Sequence, residues 1–359
     1  MKNYLTGIIF LLFCNQFSEL NAINGLAIKS NIIYILKPKQ VELVNINDSK
    51  KTKTIELSNS IVLLDLLSTK ICSLNNINDD SLKSTINKSV KAFSAINITV
   101  HQNQIFVCIK FRIEHGTIKG IKYALLEYAP ELKPVNFYYF KTENETKYFT
   151  IPPFNSFDFT SRKTFLLTIL KDPNFNLFSF YMDSLKQVAY PIKTISSNLF
   201  IGEKKSINSS DRIILDPLIN TVNDANFSYY FQYPFPIIKS TNGEVFDPFN
   251  TKKFMDSCEA EKDFKMFGNF TNGLSYKYTI NKFNYVILST KKIDSSIYMV
   301  VANKIEDRIE LVTYNVYTKK HNTKTLSNNL SNFYYIFSNE ALYSIEEKNE
   351  TYAINKLSL

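Results

Sequence analysis

The side chains that most often carry chemistry are sparse in this chain. Histidine occurs three times, as His101, His115 and His321. None lies in the His-Glu-x-x-His spacing that sets two imidazoles on one helix face, and none neighbours the paired cysteines of a zinc site. No metal and no cofactor are therefore expected. There is no Gly-x-Ser-x-Gly elbow, no glycine loop to cradle phosphate and no dinucleotide fingerprint. Cys108 sits inside an apolar run. That setting suits a buried inert thiol or half of a disulfide, whereas a nucleophile needs a lowered pKa. Glu259, Glu261 and Asp263 cluster beside Cys258 with Lys262 among them. Glycoside hydrolysis does use two carboxylates, but from separate segments held at a set distance, so this cluster reads as a solvated helix face. Asn45, Asn47, Ser49 and Glu56 lack the acidic first ligand and the sixth-position glycine of a calcium loop. No catalytic residue is assigned.

Charge says more. Lys and Arg total 42 against 33 Asp and Glu, a net charge of +9. Only Arg112, Arg162, Arg212 and Arg308 are arginines. Lysine pairs recur at Lys50-Lys51, Lys204-Lys205, Lys252-Lys253, Lys291-Lys292 and Lys319-Lys320, mostly in polar stretches between apolar runs. One reading is solvated turns that keep strand edges from pairing. The other is a surface for anionic glycans or lipid headgroups, for which Lys50, Lys51, Lys204, Lys205, Lys319 and Lys320 are the candidates. Lysine is a mobile point charge, while the arginine fork suits phosphate and base edges. With no nucleic-acid motif either, nucleic acid is not an expected partner.

The N-terminus reads as an address. Lys2 precedes a short apolar core, Leu5 to Cys14, and a polar stretch ends in Leu20-Asn21-Ala22. A core near ten residues is too short to span a bilayer and matches a signal peptide over residues 1–22. No later stretch approaches 18 uncharged apolar residues, so no transmembrane anchor is expected and the mature chain should be secreted. Cys14 leaves with the signal, and Cys72, Cys108 and Cys258 remain. One disulfide and one free thiol is the simplest account, with Cys72–Cys108 as the pair. Glycosylation sequons stand at Asn47, Asn87, Asn97, Asn144, Asn208, Asn226, Asn269, Asn329 and Asn349, so the secreted form should be a glycoprotein.

The elements that must position any site follow from pattern. Some 45% of the chain is hydrophobic and 21% charged, which excludes general disorder. Only 8 glycines and 11 prolines exclude collagen-like and proline-rich classes. A self-similarity then stands out. One copy runs Ile33-Tyr-Ile-Leu36, Val41-Glu-Leu-Val44 and Lys50-Lys-Thr-Lys-Thr-Ile-Glu-Leu-Ser-Asn59; the other runs Ile297-Tyr-Met-Val300, Ile309-Glu-Leu-Val312 and Lys319-Lys-His-Asn-Thr-Lys-Thr-Leu-Ser-Asn328. Short β-branched and aromatic segments joined by polar turns predict antiparallel strands in a meander.

Looser copies follow. Ile105–Ile109 is expected to pair with Ile121–Tyr128, Phe165–Leu170 with Phe175–Tyr181, and Phe333–Phe337 with Ala341–Ile345 and then Thr351–Leu357. Less regular pairs are Leu199–Ile201 with Arg212–Leu215, Phe227–Phe231 with Glu244–Phe246, and Tyr276–Ile280 with Asn284–Leu288. Asp79 to Phe93 places Leu82, Ile86, Val90 and Phe93 on one helical face behind a possible Asp cap. Asp216-Pro217 and Met255–Phe267 are further helix candidates.

Small sheets repeated every 40–50 residues or so resemble β-propeller repeats, in which a ring of blades buries what one blade cannot. The likeness is one of pattern over most of residues 23–359. No Trp-Asp dipeptide, kelch glycine pair or Asp-box series names a family, and scarce glycine is a departure that Asn could offset in left-handed turns. The resemblance implies an all-β, single-domain ring of about six or seven antiparallel blades with short helical insertions. A two-sheet β-sandwich or two small β domains stays open beside it.

The expected function is a secreted, non-catalytic binding protein that recognises a protein or an anionic glycan or lipid partner through rim or loops. The alternative is an extracellular propeller-type hydrolase with carboxylates and a tyrosine at a central pore. A surface adhesive component would instead expose a broad aromatic patch.

Overall fold

The computed structural model describes residues 23, 25–49, 51–114, 118–141, 147–148, 157–159, 163–171, 174–196, 229–231, 238–240, 244–250, 285–330, 333–338, 340–348 and 351–359. The expected signal peptide, the helix candidates at Asp216-Pro217 and Met255–Phe267, and the strand candidates Leu199–Ile201, Arg212–Leu215 and Tyr276–Ile280 lie outside these residues. Among the described residues, strands dominate in several sheets, two α-helices interrupt them and no sheet closes into a barrel. Two compact units result. One holds the described residues up to 141 together with 182–189, and the other holds the rest.

In the first unit β1 (Gly25–Lys29), β2 (Ile32–Leu36), β3 (Gln40–Asn45) and β4 (Lys51–Glu56) form a four-stranded antiparallel sheet in chain order. Two helices follow, Ile61–Leu74 and Asp80–Lys91. Then β5 (Ser94–His101), β6 (Gln104–Ile113), β7 (Gly120–Tyr128) and β8 (Pro134–Phe140) make a second antiparallel meander. The edge of β8 is extended in parallel by Val188 and Ala189, which pair with Tyr139 and Phe140.

One apolar core joins both sheets and both helices. Alternation along β6 turns Ile105, Val107, Ile109, Phe111 and Ile113 into it. The first helix contributes Leu63, Leu64, Leu67 and Ile71, and the second contributes Ile86 and Val90. The sheets approach closely at Gly25, where an added Cβ would come within 3.2 Å of Ile98.

The second helix starts as its sequence predicts, with Asp79 Oδ1 accepting from the Leu82 amide at 2.8 Å. The first helix has no such cap. Ser60 instead shares a 3.1 Å hydrogen bond with the buried Tyr128 hydroxyl, which burial pushes up to about 12.

Asp65 ties the two helices together, accepting from Asn87 Nδ2 at 2.8 Å and pairing with Lys91 Nζ at 2.7 Å. The Lys91 and Asn87 bonds hold its carboxyl below the ordinary 3.8. A depressed carboxylate contributes stability that is present above its unfolded pKa and lost as pH falls through the folded one. Asp65→Asn should therefore lower the urea midpoint at pH 7, and the gap from wild type should close as pH falls below 3.8.

In the second unit the strands are β9 (Lys147–Tyr148), β10 (Phe157–Phe159), β11 (Thr164–Lys171), β12 (Asn174–Asp183), β13 (Val188–Ser196), β14 (Tyr229–Phe231), β15 (Ile238–Ser240) and β16 (Val245–Phe246), the tip of the β12–β13 hairpin belonging to the first unit. Then come β17 (Tyr285–Ile293), β18 (Ser296–Asn303), β19 (Arg308–Asn315), β20 (His321–Ser327), β21 (Phe333–Phe337), β22 (Ala341–Lys348) and β23 (Thr351–Ser358). β17 to β20 form another four-stranded antiparallel meander, and β21 to β23 a three-stranded one.

Three of the expected pairings are present, while those of Leu199–Ile201 with Arg212–Leu215 and of Tyr276–Ile280 with Asn284–Leu288 involve residues outside the described ones. Ile105 pairs with Tyr128, Phe165 with Phe180, and Phe337 with Leu342. The Phe165 and Phe180 rings stack at 5.3 Å, a cross-strand pair that helps fix register. One expectation is corrected. Tyr229–Phe231 does not pair with Glu244–Phe246, because Ile238–Ser240 lies between them and pairs with both.

Both copies of the sequence repeat are meander strands, and their details agree. Glu42 faces Thr54 and Leu43 faces Lys53; in the second copy Glu310 faces Thr325 and Leu311 faces Lys324. Both outer hairpins turn alike. Asn45 Oδ1 accepts from the Asn47 amide and Asn315 Oδ1 from the Tyr317 and Thr318 amides, while Ser49 and Lys319 take φ of 56° and 58°. The inner pair differs. Ile33 opposes Val44, whereas Ile297 opposes Tyr314, two residues beyond the matched Val312. A slip of two keeps every side chain on its face, so the longer turn of the second copy is absorbed without exposing the core.

Candidate binding surface

The outer strand of the second meander is the least covered part of that sheet. Residues 317–325, nine in succession, are all exposed. The Asn315 amide donates to the Lys320 carbonyl at 2.9 Å, so the ladder begins before β20 itself. Among the described residues β20 pairs with β19 alone, and no described strand covers its other edge of backbone N–H and C=O groups. Leu326 is left over at a bulge between the Ile309–Ser327 and Glu310–Thr325 pairs, and the regular ladder stops there.

The core behind this strand is anchored by charge and by rings. Glu310 is 1% exposed, and Arg308 Nε donates to its Oε1 at 2.5 Å. Across the sheet, residues 244–250 lie as a strap. Phe246 stacks on Tyr314 at 4.0 Å and tilts against His321 at 5.3 Å, and Phe249 stacks on Tyr285 at 4.4 Å. Glu244 Oε2 accepts from Lys319 Nζ at 2.5 Å. Lys320 and Lys324 make no ion pair among the described residues, and no carboxylate occurs between residues 317 and 330. The segment is thus a rigidly backed strand edge with cationic side chains.

Of the candidate anion-binding lysines, Lys319 and Lys320 lie on this surface, with Lys319 drawn to Glu244. Lys51 begins β4 of the first meander. Lys50, Lys204 and Lys205 lie outside the described residues. Sequence reasoning passed over Lys53 and Lys324, both exposed. The signal was available, since the two lysines are matched residues of the repeat.

The Cys72–Cys108 disulfide is not formed, and both residues are buried free thiols. Cys72 belongs to the core bordered by the Val107 and Ile109 face of β6, and alternation turns Cys108 to the opposite face. Burial pushes both thiols up, Cys108 strongly. Cys72 lines a cavity of about 450 Å³ between the helices with Ser68, Lys83 and Asn87. A thiol so disfavoured as thiolate is a poor nucleophile.

Among the sequons, Asn47 and Asn329 are exposed, and Asn87 is half-buried with its amide on Asp65. Asn97 is 1% exposed, so this fold has no room for a glycan there. Asn144, Asn208, Asn226, Asn269 and Asn349 lie outside the described residues. His101 is half-buried on β5, His115 lies outside the described residues, and the described residues hold no cluster of three or more His, Cys, Asp or Glu suited to a metal. No described helix is long and apolar enough to cross a membrane.

No protein-family model matches the chain, and no curated protein sequence does. Among solved structures it is similar to Hsv2 of Kluyveromyces lactis, at 10% identity and a TM-score of 0.36 over 94% of this chain and 98% of that one. It is also similar to the acylaminoacyl peptidase of Pyrococcus horikoshii, at 8% identity and a TM-score of 0.40 over 95% of this chain and 52% of that one. A third is dipeptidyl peptidase 4 of Porphyromonas gingivalis, at 9% identity and a TM-score of 0.33 over 91% and 42%. This chain spans about half the length of the Pyrococcus peptidase and less than half that of the Porphyromonas one. Likenesses this distant assign it no activity.

Proposed function

We propose that the chain is a secreted, non-catalytic binding protein, built as a ring of blades, that takes an anionic extracellular partner on the lysine-bearing outer strand of a blade. The observation that carries the reading is the run of exposed residues 317–325, which holds Lys319, Lys320 and Lys324 and no carboxylate. A ring leaves each outer strand at the rim, where a partner can reach it. Lysine heads on such a strand attract anions at long range and lose that attraction as salt screens them.

The test uses the mature chain from residue 23, made in a glycosylating host. It is exposed to immobilised sulfated glycan, to phosphatidylserine vesicles and to acidic peptides. Saturable binding to at least one of them is expected. It should fall at least tenfold in Lys320→Glu/Lys324→Glu and weaken as salt is raised to about 0.5 M. Binding that ignores both changes, or no binding to any anion, would remove the reading.

A further inference from the structure

Resting on that reading, we propose that the partner bound at this edge is an extended acidic segment of polypeptide, which adds beside β20 as a fifth strand of its sheet. A free edge offers a row of main-chain donors and acceptors that only another strand can satisfy in register. Here residues 321–325 are exposed and meet no second strand among the described residues, and the row is backed by β17–β19 and ends at the bulge of Leu326. A strand of about six residues, near 20 Å long, fits that stretch.

Charge selects among strands. Side chains two apart share a face, so Lys320, Asn322 and Lys324 line one side of the edge, with the two lysines about 13 Å apart. A neutral or basic strand brings nothing to offset them, and a second copy of this chain would set lysines against lysines. An acidic strand with carboxylates four residues apart on one face meets both. The lysines that keep the edge from pairing with its own kind therefore choose its partner. Thr323 and Thr325, on the other face, are β-branched and favour the extended backbone. A sulfated glycan would meet the same charges but leave the main-chain row unpaired.

The experiment titrates residues 23–359 at low salt with dye-labelled ten-residue peptides, read by fluorescence anisotropy. The parent peptide alternates Glu with Val. Two derivatives carry N-methyl groups on alternate amides, one set along each backbone edge, and a sulfated oligosaccharide competes. The parent should bind. One N-methylated derivative should lose at least tenfold in affinity while the other keeps it, because only one edge of the peptide faces β20. Amides within residues 320–325 should gain hydrogen-exchange protection on binding.

Equal binding by both N-methylated peptides would overturn strand addition while leaving anion recognition standing. So would glycan binding without peptide binding. Failure of every anion to bind would remove both readings and leave the lysines as guards of a bare edge. Lys320→Glu/Lys324→Glu should reject the acidic peptide and accept one in which Lys replaces Glu, and a charge-reversed variant that accepts neither would also count against the proposal.

Discussion

Lys37→Met should destabilise the first unit by about 3–5 kcal/mol, a cost that follows from what it leaves behind. The Lys37 and Glu42 side chains are 9% and 3% exposed, with Nζ 3.6 Å from Oε1. Gln40 Nε2 donates to the same oxygen at 2.8 Å. Taking away the ammonium leaves a buried carboxylate that must stay charged without its cation or take up a proton. Replacing both partners removes that penalty, so Lys37→Met/Glu42→Leu should recover most of the loss. Urea unfolding of the two variants decides the matter. A single mutant as stable as wild type would mean that water reaches Glu42. The same holds for the second copy, where Glu310 is the matched residue, is equally buried and has one carboxylate oxygen, Oε2, without a hydrogen-bond partner among the described residues. Arg308→Met should therefore also be worse than the double variant Arg308→Met/Glu310→Leu.

That both copies bury a glutamate on the middle strand explains why the repeat was readable in the sequence at all. Apolar alternation, a Glu among apolar neighbours and a following Lys-Thr pair are each fixed by a contact: the core face, the buried ion pair and the cross-strand partner. The second helix was readable for similar reasons, because its Asp cap and its 3.6-residue apolar spacing are local.

What escaped reading was set by contacts far along the chain. The first helix, Ile61–Leu74, carries Val62 at 72% exposure and Leu66 at 47%, which blurs the apolar stripe that would mark a helix. Asn97 looks like an ordinary sequon, yet a bulge between the Ala95 and Asn97 pairs shifts the phase of β5 and sets it opposite Cys108, where it is buried. The parallel pairing of Val188 and Ala189 with β8 joins segments some 50 residues apart and has no local signature. Of the candidate surface, the lysines could be read but the exposure of the edge could not, because it depends on which strand lies outermost.

Phe93→Ala should be the most damaging single truncation of the first unit, costing about 3–5 kcal/mol. The ring is wholly buried at the point where the second helix gives way to β5. Its amide closes the helix end on the Val90 carbonyl at 3.1 Å, and two residues on the Ala95 amide reaches Pro38 at 2.8 Å. The ring belongs to the core that the first sheet, the two helices and the second sheet share, and a core built of such elements collapses only partly into a gap. Lys39 Nζ sits 3.9 Å from the ring centroid and donates to the Lys91 carbonyl at 3.2 Å; its burial lowers the lysine pKa. That cation contributes about 1–2 kcal/mol, so Lys39→Met should cost less than Phe93→Ala. Phe93→Leu, which retains most of the apolar volume, should fall between them. Hydrogen exchange gives the sharper test. If Phe93 joins the three elements into one cooperative unit, the amides of β6 and of the second helix should lose protection together in Phe93→Ala. Loss confined to the helix would show that the two sheets hold without it.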